Sequence, residues 1–249
     1  MKKIIGGNII NSFTLEEKFT LFANDAYKYY KVFLEDGEEH NVSDLESYSI
    51  YLIETPGPGH IEILEKNQKT LKGQAILIEN LHLTFKAHGK CLLFIAGINE
   101  KVYEGEMLSI LNKNEIKIVK KPWGHERWIN GEHKGYAFKN IFIKKGTRTS
   151  LQYHELKRET NILLEGEAKL HYKKNEEVSN DEVKDHHVAQ FALLPKSSID
   201  VWPHILHRLE AVSDNNLFEV STPHLDDVIR VQDNSNRVSG RIETEHAPL

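Results

Sequence analysis

Hydrophobic and polar positions alternate along much of the chain in short runs, as in FTLFA (19–23), YKVFL (30–34), SIYLIE (49–54), HIEIL (60–64) and AILIENLHLTF (75–85). The runs are rich in β-branched and aromatic residues, and turn-forming stretches such as TPGPG separate them. The same pattern resumes after residue 135. Because a period of two is typical of half-buried strands, the sequence predicts an all-β protein built as a sandwich or barrel.

A polar connection, NKNEIKIVKKPWGHERW, separates two β-rich halves. We place a domain boundary near residue 118, which gives an N-terminal domain over 1–117 and a C-terminal domain over 118–249. Two halves of similar size favour a duplicated barrel, although their sequences are too different to count as a repeat. The polar composition from about residue 232 onward indicates an extended tail.

Composition narrows the class of protein. The chain has 249 residues and a net charge of −5, so it lacks the positive charge with which nucleic-acid-binding proteins attract phosphates. No apolar stretch is long enough to span a bilayer, and Gly6 and Gly7 interrupt the first apolar run too early for a signal peptide. Cys91 is the one cysteine, which fits a reducing compartment. We expect a cytoplasmic protein with neither nucleic acid nor membrane as a partner.

The stretch GTRTSLQYHELKRETNILLEG, residues 146–166, places three polar side chains close together on predicted strands. Gln152 and His154 share one face of a strand, because successive side chains alternate between faces. Glu159 has the wrong parity for that face. The charged, turn-tolerant ELKR segment (155–158) allows the chain to reverse, so we expect the neighbouring strand to present Glu159.

An amide oxygen, an imidazole nitrogen and a carboxylate on one face suit a divalent metal, with zinc first and manganese, iron or nickel as alternatives. A fourth ligand is expected from WPHILHRLEAV, where His207 is better placed than His204. The competing interpretation is a polar surface hairpin in which Glu159 forms an exposed ion pair of little energetic value.

The spacing of this stretch resembles the first cupin motif, with Gln152 in place of its first histidine. Gln at that place resembles the phosphomannose isomerases. KPWGHE (121–126), SLQYHELKRE (150–159), PHILHRLEA (203–211) and LFEVSTPHLDDVIRVQDNSNR (217–237) are similar, in order, to motifs of the isomerase domain in the type II enzymes of that family. The resemblance covers about residues 120–237.

The resemblance implies a bicupin, with two jelly-roll barrels of the double-stranded β-helix type. It implies one divalent metal, most often zinc with manganese, iron, cobalt or nickel as alternatives, held by Gln152, His154, Glu159 and His207. It also places Arg230 and Lys157 in the active site. The chain departs from the family at His204, which stands at a usual glycine position and offers a new base.

The implied activity is the isomerisation of an aldose phosphate to a ketose phosphate through an enediolate, with a sugar phosphate as the partner. His204, Asp227 and Glu126 are candidates for the proton transfer that this reaction needs. The substrate-binding candidates are Trp123, Lys139, Arg158 and Asp227, with a packed aromatic or a solvated surface charge as the alternative for the first three. Lys139 and Arg158 are cations that suit a phosphate.

Two other functional classes remain open, because a fold does not fix a function. One is a non-catalytic cupin that binds a sugar or another metabolite. The other is a cupin epimerase, lyase or dioxygenase acting on another small molecule. The N-terminal half lacks the metal motif, with His60, His82 and His88 scattered along it. We therefore expect a degenerate, structural or dimerising barrel there, and a homodimer stays open.

Overall fold

The structure is a computed structural model that describes residues 3–5, 8–12, 17–174 and 188–246. Strands dominate these residues, beside one 3-10 turn, Leu64–Lys66, and one α-helical turn, α1 (Glu243–His246). The predicted all-β class is confirmed. No helix in the described ranges has the length and apolar character needed to cross a bilayer.

The chain divides into two compact units. The N-terminal unit consists of Phe13–Lys117 and Trp128–Phe138, and the C-terminal unit consists of Met1–Ser12, Ile118–Arg127 and Lys139–Leu249. The predicted boundary between residues 117 and 118 coincides with one of the junctions. Two segments cross this boundary. β2 (Asn8–Ser12) pairs with β20 (Ser197–Val201) in the C-terminal unit, and Tyr136 Oη lies 2.6 Å from Ser49 Oγ inside the N-terminal unit. Both are pairings between distant parts of the sequence.

The N-terminal unit contains a six-stranded sheet in the order β12-β9-β6-β11-β4-β3 and a four-stranded sheet in the order β5-β10-β7-β8. Its strands are β3 (Phe19–Ala23), β4 (Lys28–Leu34), β5 (Glu39–Val42), β6 (Ser47–Leu52), β7 (His60–Ile63), β8 (Gln68–Leu71), β9 (Ala75–Glu79), β10 (Leu83–His88), β11 (Cys91–Ile98) and β12 (Met107–Leu111). Ile50 and Ile76 from the first sheet pack in one core with Phe85 from the second. The two sheets therefore close over a shared apolar interior.

The C-terminal unit is built from an eight-stranded sheet in the order β1-β2-β20-β17-β22-β15-β14-β13 and a five-stranded sheet in the order β19-β18-β21-β16-β23. The strands of these two sheets are β1 (Lys3–Ile5), β2 (Asn8–Ser12), β13 (Lys117–Lys121), β14 (Gly124–Asn130), β15 (Ala137–Ile143), β16 (Leu151–Tyr153), β17 (Glu159–Glu165), β18 (Ala168–Lys174), β19 (Ala189–Leu193), β20 (Ser197–Val201), β21 (Ile205–Ala211), β22 (Asn215–Ser221) and β23 (Ile229–Gln232). Leu163 and Leu217 from the larger sheet share a core with Leu170 from the smaller one. This second pair of sheets forms the barrel that carries the predicted ligands.

The structure corrects one predicted element. AILIENLHLTF reads as one run, but β9 ends at Glu79 and β10 begins at Leu83 in the other sheet. Asn80 adopts the left-handed conformation, with φ 54°, at the point where the first strand ends. Asn tolerates that conformation better than most residues do, so the chain can turn there despite continuous apolar alternation.

Candidate metal centre

Two neighbouring strands of the five-stranded sheet bring three of the predicted ligands together. Gln152 on β16 lies directly opposite His207 on β21, and His154 immediately follows β16. Glu159 begins β17 in the eight-stranded sheet. One ligand atom each from His154, Glu159 and His207 lies within 4.8 Å of the others, and all three side chains are buried. We call His154, Glu159 and His207 the ligand cluster.

The expectation that a neighbouring strand presents Glu159 is wrong, because β16 and β17 belong to different sheets. The chain crosses from one sheet to the other in the turn between His154 and Glu159. Asp227 holds that turn: its carboxylate accepts hydrogen bonds from three successive backbone N–H groups, those of Glu155 (3.2 Å), Leu156 (2.6 Å) and Lys157 (3.0 Å). Although partial burial raises the pKa of Asp227, these bonds outweigh it and lower the pKa below the usual range.

Both histidines of the cluster turn the same ring nitrogen toward the protein. His154 Nδ1 donates to the carbonyl oxygen of Asp227 over 2.5 Å, and His207 Nδ1 donates to that of Ile205 over 2.9 Å. A carbonyl oxygen only accepts, so the proton of each neutral ring lies on Nδ1 and the Nε2 lone pair is available to a metal. This arrangement is the one that metal-binding histidines use.

The two Nε2 atoms fit a bound cation. Both are buried without a hydrogen-bond partner among the described residues. They approach the same carboxylate: His207 Nε2 lies 3.1 Å from Glu159 Oε1, and His154 Nε2 lies 3.6 Å from Glu159 Oε2. Burial and the charge of Lys157 lower the pKa of His154 to about 3, so its ring is neutral at pH 7. Buried lone pairs that face a carboxylate are stabilised by a divalent cation between them.

Gln152 is the fourth predicted ligand, and its neighbour Ser150 orients it. Ser150 Oγ donates to Gln152 Oε1 over 2.5 Å, and Ser150 is buried while Gln152 is half-buried. An amide oxygen has two lone pairs. One remains available to a cation after Ser150 has used the other, so Gln152 fits the predicted role from its place opposite His207.

Lys157 bridges two buried carboxylates beside the cluster. Its Nζ donates to Glu159 Oε2 over 2.5 Å and to Glu219 Oε1 over 2.8 Å. Burial alone would lower the pKa of Lys157, but the two carboxylates outweigh burial and raise it above the ordinary value. Burial likewise opposes ionisation of Glu159, yet Lys157 and His207 hold the pKa of this carboxyl well below its usual range. Lys157 and Glu159 are therefore both charged at neutral pH.

Charged side chains continue from Glu159 across four further strands of the eight-stranded sheet. In strand order, the members of this charged row are Glu159 (β17), Glu219 (β22), Lys139 (β15), Glu126 (β14) and Lys121 (β13). Lys139 Nζ lies 3.3 Å from Glu219 and 3.6 Å from Glu126, and Lys121 Nζ lies 3.7 Å from Glu126. Lys157 bridges the like-charged Glu159 and Glu219, and the signs alternate from Glu219 to Lys121, so each buried ion has an opposite neighbour.

Sequence reasoning missed Glu219 and Lys121. A signal for Glu219 was present in β22, where Leu217, Glu219 and Ser221 share one face. Leu217 lies in the apolar core of the barrel, so a carboxylate two residues later on the same face also points inward. A charge on an inward face indicates a paired or functional group.

Three predicted residues lie away from the ligand cluster. Trp123 packs in the apolar core. Arg158 pairs with Asp200 at 2.5 Å and stacks on Trp202, and it points to the face of the sheet opposite Glu159 because the two are consecutive. His204 is exposed and adopts φ 61°. That left-handed conformation explains why the resemblance expects glycine there.

Arg230 lies on β23 opposite Gln152 in the register of the five-stranded sheet, which places it on the strand next to a predicted ligand. The Asp227 carboxylate holds the turn, and the Asp227 carbonyl oxygen orients His154. Of the predicted substrate-binding side chains, Lys139 is the one that the structure brings into the charged row.

Replacing Asp227 with alanine should weaken metal binding although no ligand is removed. The carbonyl that orients His154 remains in Asp227→Ala, but the turn loses three hydrogen bonds to its backbone. Loss of a group that orients a ligand typically lowers metal affinity by about 10–100-fold. Titration of the metal-free protein with zinc, followed by calorimetry, measures this change. Asp226→Ala, at the exposed neighbouring position, is the control, and equal affinities of the two variants would contradict the assignment.

Comparisons with known proteins agree with this fold. The two pairs of sheets form a bicupin, a fold that solved structures of cupins share. Its residues 111–233 match the family described as mannose-6-phosphate isomerase C-terminal. The resemblance inferred from the motifs is therefore confirmed for the C-terminal half. A comparison with curated protein sequences finds no match.

Solved structures share the fold at low sequence identity. The oxalate decarboxylase of Lactobacillus farciminis has a TM-score of 0.59 and 9% identity, with 92% of this chain and 86% of that chain covered. An IolB-like protein of Salmonella typhimurium has a TM-score of 0.63 and 11% identity, with 87% and 93% covered. The vicilin of Solanum melongena has a TM-score of 0.56 and 10% identity, with 80% and 75% covered. At such identities the likeness shows the fold alone.

Proposed function

We propose that the protein is a metal-dependent isomerase that interconverts an aldose phosphate and a ketose phosphate, as mannose-6-phosphate isomerase does. The observation that carries this proposal is the ligand cluster, in which His154, Glu159 and His207 offer ligand atoms within 4.8 Å of one another. The cluster lies inside the residues that match the isomerase family. Lys157 and the charged row beside it supply the polar groups that a sugar phosphate needs.

Gln152, His154, Glu159 and His207 would hold the metal. Their nitrogen and oxygen donors suit zinc, and they also accept manganese, iron, cobalt or nickel. When bound, a divalent cation supplies Lewis acidity that polarises a carbonyl and stabilises negative charge on the oxygens of the sugar. The ligand set accepts all of these metals, so metal analysis of the purified protein decides which one it binds.

The protein's own groups orient the sugar and move the proton. Lys157 Nζ is a buried cation beside Glu159, and we assign it the stabilisation of an oxyanion on the substrate. Isomerisation also moves a proton between adjacent carbons. We assign this transfer to Glu219, which shares Lys157 with the cluster. Of the groups considered from sequence, His204 is exposed and the Asp227 carboxylate already accepts three backbone hydrogen bonds.

Incubation of the metal-loaded protein with mannose 6-phosphate should yield fructose 6-phosphate. Glu219→Gln should lower kcat by about 10²–10⁴-fold, the usual contribution of a proton-transfer group, and should change KM little. Glu210→Gln is the matched control, since Glu210 lies on β21, is 30% exposed and pairs with Lys169 and His171 rather than with the charged row. Product is measured by a coupled assay for fructose 6-phosphate.

Absence of turnover with zinc, manganese, cobalt and nickel across a panel of phosphosugars would overturn the proposal. Binding of a phosphosugar to the metal-loaded protein without turnover would instead favour a metabolite-binding cupin. Full activity of Glu219→Gln would leave an isomerase but would remove Glu219 from the proton transfer. These outcomes separate the activity from the assignment of its residues.

A further inference from the structure

The guanidinium group of Arg230 is buried and held from one side. Its side chain is 8% exposed. Nη1 donates to two backbone carbonyls, those of Val238 and of Gly240, the latter over 2.8 Å. Nε has no hydrogen-bond partner among the described residues, because the nearest carboxylate oxygen, on Asp233, lies 3.7 Å away. A buried, unsatisfied N–H on a cation is a donor available to an anionic ligand.

The carbonyls that hold Arg230 belong to a segment that buried ion pairs fix in place. We call residues 233–246 the strap. Arg237 Nε donates to Asp233 Oδ2 over 2.7 Å, and Arg237 Nη1 donates to Glu245 Oε1 over 3.1 Å. These two bonds join the beginning of the strap to its helical turn, α1. The strap also adds a bond to the Arg230 backbone, whose N–H donates to Ser239 Oγ over 3.0 Å.

Glu245 joins the strap to the barrel. Its Oε2 accepts a hydrogen bond from Lys121 Nζ over 2.8 Å, and the two side chains are 11% and 10% exposed. Lys121 is the last member of the charged row, so buried ion pairs lead from Glu159 to Glu245 and on to Arg237. Bonds between buried, ionised partners are stronger than neutral ones. Glu245 therefore joins the charged row, through Lys121, to the strap, through Arg237.

Apart from its first residue, Asp233, the strap lies outside the family match, which ends at residue 233. We propose that Glu245 is a positioning residue: by joining Lys121 to Arg237 it fixes the strap, and the strap turns Arg230 so that its Nε faces an anionic substrate group. The contribution to substrate binding rests on the proposed isomerase function. The effect of Glu245 on the orientation of Arg230 does not rest on that function, because it concerns a contact inside the protein.

The orientation of Arg230 can be measured directly by the exchange of its Nε–H with water. In ¹⁵N-labelled full-length protein, the Arg230 Nε–H signal is assigned by its loss in Arg230→Lys. We expect Glu245→Gln to speed this exchange roughly tenfold, because loss of a charged hydrogen bond frees the strap to open. Arg208 serves as an internal control, since its Nε donates to the Thr149 carbonyl and its exchange should not change.

The matched control is Glu243→Gln, which makes the same chemical change in the same helical turn. Glu243 is 81% exposed and pairs with Arg241 at the surface, so the Arg230 exchange should equal that of the wild type. Equal exchange in Glu245→Gln and Glu243→Gln would overturn the proposal. Should Glu245→Gln fail to fold, Arg237→Gln removes the same connection from its other end and gives the same test.

Kinetics provide a second readout. With mannose 6-phosphate as substrate, Glu245→Gln should raise KM about tenfold while kcat changes little, because a positioning contact to a non-reacting group contributes to uniform binding. A fall in kcat with unchanged KM would contradict this role. If the wild-type protein shows no turnover, the proposed function fails, but the Nε–H exchange still decides whether Glu245 positions Arg230.

Discussion

His207→Ala protein should lose its divalent metal. His207 offers a buried Nε2 lone pair 3.1 Å from Glu159 and has no hydrogen-bond partner there among the described residues. Removing a group that merely orients a ligand costs about 10–100-fold in affinity, so removing a ligand should cost at least ~100-fold. Metal content after dialysis, measured by mass spectrometry together with calorimetric titration, tests this expectation. Isomerase activity should fall with the metal content.

His171→Ala is the control for His207→Ala. His171 is also a buried histidine of this barrel, on β18, but it pairs with Glu210 at 3.0 Å and takes no part in the ligand cluster. Replacing it with alanine leaves a cavity comparable to that of His207→Ala and should leave the metal affinity unchanged. A full metal content in both variants would show that the ligand assignment is wrong. A loss of metal in both would point to damage to the barrel instead.

The ligands between Gly146 and Gly166 could be identified from the sequence because their positions depend on local geometry. Gly146 and Gly166 adopt φ 77° and 90°, and a Cβ at Gly166 would lie 2.2 Å from the Asp214 carbonyl oxygen. Between these glycines, strand parity fixes the faces of Gln152 and His154. Such constraints act within a few residues, so spacing in the sequence preserves them.

The sequence named Lys139 and Glu126 as candidates, but it did not show that sheet order brings them together with Glu219. Glu219, Lys139 and Glu126 lie on β22, β15 and β14, which are neighbours in the sheet although β22 is far along the chain from the other two strands. Their partners are set by register between distant segments, which the pattern of one strand cannot specify. The same limit explains why Glu159 was expected on a strand beside β16 and lies instead in the other sheet.

The polar tail after residue 232 is a second region whose structure its composition did not predict. Its composition indicated an extended segment, since few apolar residues occur after 232. The structure gives it turns, the helical turn α1 and buried ion pairs, and the side chains of Arg237 and Glu245 are 10% and 11% exposed. Charged residues are buried when opposite charges meet them, and here one of the partners, Lys121, is supplied by the far edge of the sheet.

The second large effect expected is on stability. Lys157→Met should destabilise the metal-free protein by about 3–5 kcal/mol, the usual cost of removing one partner from a buried ion pair. Methionine keeps much of the volume of lysine, but Glu159 loses its 2.5 Å partner and Glu219 its 2.8 Å partner. Both carboxylates would then carry uncompensated charge in the barrel. The free energy of unfolding, from chemical denaturation of metal-free protein, measures the loss.

Two comparisons separate charge from packing in Lys157→Met. Lys169→Met removes an equivalent contact at the surface, where Lys169 and Glu210 are 48% and 30% exposed, and should cost no more than about 1 kcal/mol. Adding zinc should recover part of the Lys157→Met loss but none of the Lys169→Met loss, because a cation that binds the folded cluster compensates Glu159 and stabilises the native state. If zinc stabilised Lys157→Met no more than wild type, the charge of Lys157 would not be what balances Glu159.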